Sequence, residues 1–568
     1  MTATHEEQHE HWAYRLDARR LRRLDRLRFV PPARRALLAE RRLRRPGQPG
    51  PAAEHVVQYQ VSATLAERRA TDHADDSERR GSEDARPKKP IVVGQADFFY
   101  RSQYRQTCSA VMGAFAATAT QVLAASSTEP RGRLWGRHRE SVTAMIPRHP
   151  GDSTRPILVL NDRTVAVAVL VPRTGDAAAD RATTAWLHGT GPTPPHLETE
   201  RRGSAAAAAP GIGTTRSRSH LGGVVALVDA ARRTGWLALL ALHATDPDAM
   251  GLHLTLHGVE CVSPEQLARD YALADADLSA HRDRAAAEDA ILGYLVGGTA
   301  EVFTQCSQNL FVKEAVVDSP AGTAAPEPAE SDPIPLADLL AAQFETIQAT
   351  VDATGLPGAS PRNGQIGGAA LVAERRGRAH VLIPYHPGNA IHGHAAKLWS
   401  NRHAALVVTD DHTVRRRATI TGRSWCASHE RIARDFPDVA RAVTHPDGAE
   451  EQTVADPVYW FVTRADVVTW EQGLLPAYRL TEGRAACTIN AGGEGRHTKK
   501  PKYFDAGSVP VYDVALQHHR EAAGRPTDPD GTARTTWLAT VEPALAARER
   551  HLAELGPGSG EPVDHPNS

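Results

Sequence analysis

Six histidines, His380, His386, His392, His394, His403 and His412, fall within about thirty residues of one another. Imidazole exchanges a proton near neutral pH and ligates metals through either ring nitrogen. On an extended segment His392 and His394 share one face, so the pair could bind a metal, meet a haem or hydrogen-bond a flat conjugated ring. Pro387-Gly388-Asn389 just before them reads as a turn, where a backbone without a side chain can approach a planar ligand. No Asp or Glu occurs from His380 to Thr409, which makes a dedicated zinc site the weaker reading. The plain alternative is a set of ordinary loop histidines, in a chain that holds 27 of them.

Cations lie close by. Lys397 and Arg402 flank the start of a strand-like run, and Arg415, Arg416 and Arg417 open the next. On a strand Arg415 and Arg417 share a face and could clamp a phosphate; the alternative is a charged edge strand. Asn490 to Gly495, followed by His497, Lys499, Lys500 and Lys502, is Gly-rich but lacks the terminal Gly-Lys-Ser/Thr of a P-loop. Cys261 and Cys426 have no second Cys close by and read as buried packing.

The elements that must position these residues come as two similar sets. The eleven residues Cys261 to Tyr271 return 165 positions later as Cys426 to Phe436, with six identities. Thr255 to Gly258 corresponds to Thr419 to Gly422, and Ala230-Ala231-Arg232 to Ala395-Ala396-Lys397. Leu227 and Asp229 stand where the second copy has His392 and His394. Two copies of one unit would form a pseudo-dimer within one chain. Ser263 and Ser428 read as helix N-caps, with Pro264 suited to the first helical position. Leu336 to Val351 carries an apolar stripe that predicts a helix. Ala369 to Val372, His380 to Pro384, Ala404 to Thr409, Arg415 to Gly422, Pro457 to Val462 and Val467 to Trp470 predict strands, with Asp410 to Thr413 as a hairpin turn. Arg201 to Ser219 reads as a surface loop.

Composition sets the frame. The chain has 568 residues and a net charge of −1, so a wholesale attraction to nucleic acid or anionic lipid is not expected. Five scattered cysteines without a C-x-x-C fit reduced thiols in the cytoplasm. No apolar run is long enough to span a membrane. The expected organisation is an Arg-rich, largely disordered arm at 1–92, a first copy with a helical insertion at 93–317, a Pro-rich linker at 318–335, a second copy at 336–480 and a C-terminal extension at 481–568.

The run Asn389 to Leu406 resembles the split-barrel flavoproteins related to pyridoxamine 5′-phosphate oxidase. In that superfamily a basic residue lies four before a Leu, an Asn or Asp three after it, then a strand. Leu398, Asn401 and Ala404-Ala405-Leu406 fit that frame. His394 fills the slot usually held by Lys, which is closer to the haem-utilisation branch. Asp246 to Gly258 is similar to that branch's strand leading to a Gly, and Val467 to Trp470 to a closing barrel strand. The oxidase's Ser-Arg-Lys, Arg-x-Val-Leu-Leu-Lys and Arg-Leu-His motifs are absent, so vitamin B6 oxidation is not implied. The resemblance implies an α+β fold of tandem antiparallel split β-barrels with capping helices. It also implies FMN or haem as cofactor, bound by His392, His394, Lys397, Asn401, Arg402, Arg415 and Arg417, with His394 a metal ligand only if the cofactor is haem. FMN-dependent oxidoreduction or haem degradation would follow. A non-catalytic interaction protein that lost the cofactor stays open, as does further pairing of the pseudo-dimers into a homo-oligomer.

Overall fold

The computed structural model describes residues 108–480, except 109, 130–137, 147–153, 162, 206–210, 244–250, 306–312, 316–334, 342, 344, 353–354, 364–368, 386–392, 410–415, 428, 446–456, 458 and 473–477. The N-terminal arm, the linker up to its last residue, the C-terminal extension, the hairpin turn, Ser428 and the loop at 490–502 therefore lie outside the described residues.

The first half begins with α1 (Ala110–Ala117), β1 (Gln121–Ser127), β2 (Ser141–Ile146), β3 (Ile157–Asn161) and β4 (Thr164–Pro172). An inserted stretch follows: α2 (Ala177–Leu187), α3 (Pro195–Arg202), β5 (Ser204–Ala205) and β6 (Thr214–Ser219). Then come α4 (His220–Thr234), β7 (Trp236–Leu242), β8 (Gly251–Val262), α5 (Pro264–Asp270), α6 (Asp275–Ala287), β9 (Ala290–Gln305) and β10 (Lys313–Ala315). The second half runs α7 (Leu336–Ala341), β11 (Glu345–Val351), β12 (Pro357–Asn363), β13 (Leu371–Arg375), β14 (Arg378–Tyr385), α8 (Gly393–Ser400), β15 (His403–Thr409), β16 (Arg416–Ala427), α9 (His429–Asp435), α10 (Pro437–Thr444), β17 (Tyr459–Arg464), β18 (Val467–Gln472) and β19 (Tyr478–Leu480).

Both sheets use one strand order. The first is β2-β1-β7-β8-β9-β4-β3 and the second is β12-β11-β15-β16-β17-β14-β13. In each, a helix (α4 or α8) leads into a central strand, and a long strand (β8 or β16) then leads into a short helix. Ser263 caps α5 as expected, its hydroxyl accepting from the Gln266 amide at 3.1 Å. Cys261 and Cys426 fall at matching places near the ends of β8 and β16. The single long partner β9 of the first half is matched by two strands in the second. There β16 pairs with β18 through Arg416–Thr421 and with β17 through Ser424–Ala427.

Two expectations are corrected. Leu336–Ala341 is helical, but Glu345–Val351 is strand β11. Thr346, Gln348 and Thr350 alternate with Ile347, Ala349 and Val351 as a strand requires, but Leu340, Phe344, Ile347 and Val351 also recur at helical spacing, which favours a helix in the sequence alone. The stretch read as a loop at 201–219 contains β6, which pairs in parallel with β18 and so joins the first half to the second sheet. The architecture is α+β: two large antiparallel sheets with that one parallel pairing, and a two-stranded ladder of β10 with β19; neither large sheet closes into a ring among the described residues.

The halves meet over a shared apolar layer. Val122 and Ala124 of β1 face the first core, while Leu123 and Ala125 face Ile347, Ala349, Ala359, Ala405 and Val407 of the second half, together with Ala238, Leu240 and Leu242 of β7. Alternate residues of one strand point to opposite faces, so β1 serves its own core and the interface at once. Five of the ten residues of this layer are alanines, and their small side chains let the sheets approach closely. Among the described residues no helix is long and apolar enough to cross a membrane.

Candidate functional site

Helix α8 presents His394 and Lys397 three residues apart, on one helical face. That face lies against β11 and β12. The Thr350 hydroxyl and His394 Nδ1 are hydrogen-bonded at 2.8 Å. Across from them Gly358 leaves room, since a Cβ there would stand 3.0 Å from Lys397 Cε and 3.9 Å from His394 Cε1. Farther along β12, Arg362 donates to Gln348 Oε1 at 3.0 Å. Its guanidinium lies 4.7 Å from the Phe461 ring centroid and 5.9 Å from that of Tyr385. Tyr385 stacks on Tyr459 at 4.5 Å, and Phe461 meets both rings edge-on.

The electrostatics of this cluster are one-sided. Burial, then Arg362, Lys397 and His253, hold the His394 imidazole well below its usual pKa, so the ring is neutral at pH 7. His253 comes from β8 of the first half, where it is buried and stacks on Phe303 at 4.3 Å. Burial also lowers Arg362 and pushes the Cys426 thiol up to about 12. Burial and then Tyr385 raise the Tyr459 phenol well above its usual value. Cys426 and Tyr459 are therefore protonated at neutral pH, and both cysteines of the repeat pack as neutral thiols, Cys261 being raised to about 12 in the same way. A guanidinium over aromatic faces, with an ammonium group within electrostatic reach of the same imidazole, suits an anionic, planar ligand.

The remaining expected site residues are dispersed. His392 and Arg415 lie outside the described residues, as do His386 and His412. Asn401 is buried, and its side chain is spent on backbone: Nδ2 donates to Arg139 O and Val351 O, and Oδ1 accepts from the Arg139 amide. Arg402 is exposed on the surface, where Arg423 and Arg431 bear on its charge. Arg417 is fully buried and pairs with Glu471, which also accepts from Arg218 Nε of β6 at 2.6 Å. Beside this triad, burial and then Arg417 lower His220 to about 4. His380 is a packing residue, with Nδ1 against Arg378 O at 2.9 Å and its ring against Trp425 and Phe436.

Sequence reading missed Arg362, Gly358 and His253. Arg362 ends a strand whose run Pro-Gly-Ala-Ser-Pro-Arg-Asn lacks any strand signature, and His253 depends on contact across the halves. The counterpart positions in α4 do different work. Asp229 accepts from Trp186 Nε1 and Thr193 Oγ1, and Arg232 donates to the carbonyls of Trp186 and Gly191, fixing the inserted α2. An open cleft of about 780 Å³ lined by Arg173, Asp180, Arg181, His188 and Ser263 lies against that insert and contains none of the cluster residues.

No family model matches the chain, and no curated protein matches it. Among solved structures, HupZ of Group A Streptococcus is similar at 14% identity with a TM-score of 0.18, over 25% of this chain and 94% of that one. HutZ, the haem storage protein from Vibrio cholerae, is similar at 18% identity and 0.15, over 25% and 90%. A pyridoxamine 5′-phosphate oxidase-related, FMN-binding protein from Nostoc punctiforme is similar at 11% identity and 0.14, over 22% and 70%. Likenesses this low, confined to a quarter of the chain, assign it to no family.

Proposed function

We propose that His394, Lys397 and Arg362 form the binding site of an anionic planar cofactor, FMN or haem, held where two split-barrel halves of one chain meet. What carries the reading is that His394 and Lys397 of α8 and Arg362 of β12 lie within electrostatic reach of one another and of His253 from the other half, with Arg362 over the rings of Tyr385 and Phe461. The repeated strand order supports a duplicated unit acting as its own dimer.

The residues fit either cofactor in chemical terms. Arg362 and Lys397 would hold a phosphate or a propionate, since a charge-assisted hydrogen bond contributes about 1.5–3 kcal/mol. Gly358 lets β12 pack closely against Lys397. With Nδ1–H donating to Thr350, neutral His394 would offer its Nε2 lone pair to a haem iron. With Nδ1 accepting from Thr350 instead, Nε2–H would donate to a flavin ring. The bound group would supply electron transfer, and the protein position and charge. The chain would then act as an oxidoreductase. Asn401 and Arg417, tied to backbone and to Glu471, favour a second reading, an interaction protein that kept the fold without the cofactor.

Titration of the purified chain with FMN and with hemin, followed by visible absorption, separates these readings. One equivalent of either should bind, with Lys397→Ala and Arg362→Ala each weakening uptake about tenfold or more. His394→Ala should abolish the haem spectrum if haem is the ligand. A protein that takes up neither sinks the cofactor reading and leaves the interaction protein.

A further inference from the structure

His403 opens β15, and its own segment from His380 to Thr409 holds no carboxylate. The fold supplies one from the other half. His138 and Glu140 precede β2, and their side chains lie beside His403: one potential ligand atom from each of the three falls within 4.8 Å of the others. His138 Nε2 is 3.6 Å from Glu140 Oε1, and the His138 and His403 rings are stacked with centroids 5.5 Å apart.

This arrangement is built rather than incidental. Arg139 exchanges two backbone hydrogen bonds with the Asn401 side chain, and Thr128 brackets Glu140 from the other side, its Oγ1 accepting from the Glu140 amide and its own amide donating to Glu140 O. In that extended segment His138 and Glu140, two apart, point to the same side while Arg139 points away. Asn401 thus fixes the height of both residues against His403, two positions along its own chain. His403 is only 9% exposed, and its Nδ1 is buried with no hydrogen-bond partner. A buried polar atom left unsatisfied is costly. His138 and Glu140 are about 41% and 36% exposed, so an ion could enter from solvent.

We propose that His138, Glu140 and His403 form a three-ligand site for a divalent cation of the zinc class, joining the two halves of the chain. Zn–N and Zn–O bonds of about 2.0–2.2 Å in tetrahedral geometry place donors about 3.4 Å apart. The His138–Glu140 separation already matches, and modest rotation about side-chain torsions closes the rest. Two imidazoles and one carboxylate suit Zn²⁺ over Mg²⁺ or Ca²⁺, which take oxygen ligands. Water, reaching the ion past the partly exposed His138 and Glu140, would complete the shell.

The site is tested on the full chain after EDTA treatment. Equilibrium dialysis against Zn²⁺ should return one equivalent per chain, and Co²⁺ in its place should give visible ligand-field absorption. His138→Ala and Glu140→Gln, both at partly exposed positions, should each weaken Zn²⁺ binding at least tenfold and remove the rise in Tm that Zn²⁺ gives the wild type. His403→Ala should do the same, but the two partly exposed variants carry the test if it fails to fold. His394→Ala should keep the Zn²⁺, separating this site from the proposed cofactor site. Failure of the wild type to retain Zn²⁺, or wild-type affinity in both His138→Ala and Glu140→Gln, overturns the proposal.

Discussion

Arg417 shows how one side chain changes meaning once its surroundings are known. As a sequence position it is a cation on a strand; in the fold it is sealed against Glu471, with Arg218 on the carboxylate's other oxygen. Burial alone would raise the Glu471 pKa, yet Arg417 and Arg218 together hold it below its usual value. Glu471 therefore binds a proton less readily when folded than unfolded. Its stabilisation is present above about pH 4.3, the unfolded value, and is lost as pH falls through the depressed folded value. Glu471→Gln leaves Arg417 buried without its counter-charge, which costs about 3–5 kcal/mol. Urea unfolding at neutral pH should show that loss, and the variant's stability should fall less steeply on acidification than the wild type's. Equal stability of variant and wild type would mean that the triad holds nothing together.

The turning point of β16 shows the same dependence for an element. Gly422 lies between the segment paired to β18 and the segment paired to β17, and a Cβ there would fall 1.8 Å from Arg464 O. Its counterpart Gly258 has nothing within 4 Å of a Cβ, but its φ of +60° favours glycine. One position thus needs glycine for close approach and the other for backbone conformation. Gly422→Ala must push apart two hydrogen-bonded strands, at a cost of about 3 kcal/mol. Gly258→Ala need only adopt a strained dihedral, at about 1–2 kcal/mol. Denaturant unfolding of the two variants should rank them in that order; the reverse ranking would refute the close-approach account.

For the whole molecule the decisive feature is the layer between the sheets. Leu123, Leu240, Ala349 and Ala405 are nearly or wholly inaccessible to solvent, and β6 crosses to pair with β18. Halves joined through an apolar layer and a shared sheet should unfold together. Calorimetry is expected to give one transition with equal calorimetric and van't Hoff enthalpies. Ala349→Asp buries an unpaired carboxylate in that layer and should lower Tm or split the transition. An unchanged Tm would show that the halves do not rely on each other.

The sequence by itself determined the local elements. Apolar runs such as Ala404 to Thr409 and His380 to Pro384 announced their strands, and Ser263 with Pro264 announced a capped helix. The matched positions of Cys261 and Cys426 announced that two units share a plan, whereas His394, expected on an extended segment, lies in helix α8, and only that helix puts it beside Lys397. Only the tertiary structure decided the rest. A strand's backbone ladder carries no label for its partner, so β6 could not be assigned to the second sheet from its own residues, Thr-Thr-Arg-Ser-Arg-Ser. The alternation of β11 from Thr346 to Val351 was masked by apolar residues that also fit a helical period, and pairing with β12 and β15 settled which period applies. Arg362 joined His394, and Glu140 joined His403 from 263 positions away in the chain, through contacts that no local pattern encodes. Arg417 and Asn401 were taken up by interactions equally remote in sequence. The type of each side chain is written in the chain, but its partner is settled by which surfaces packing brings together.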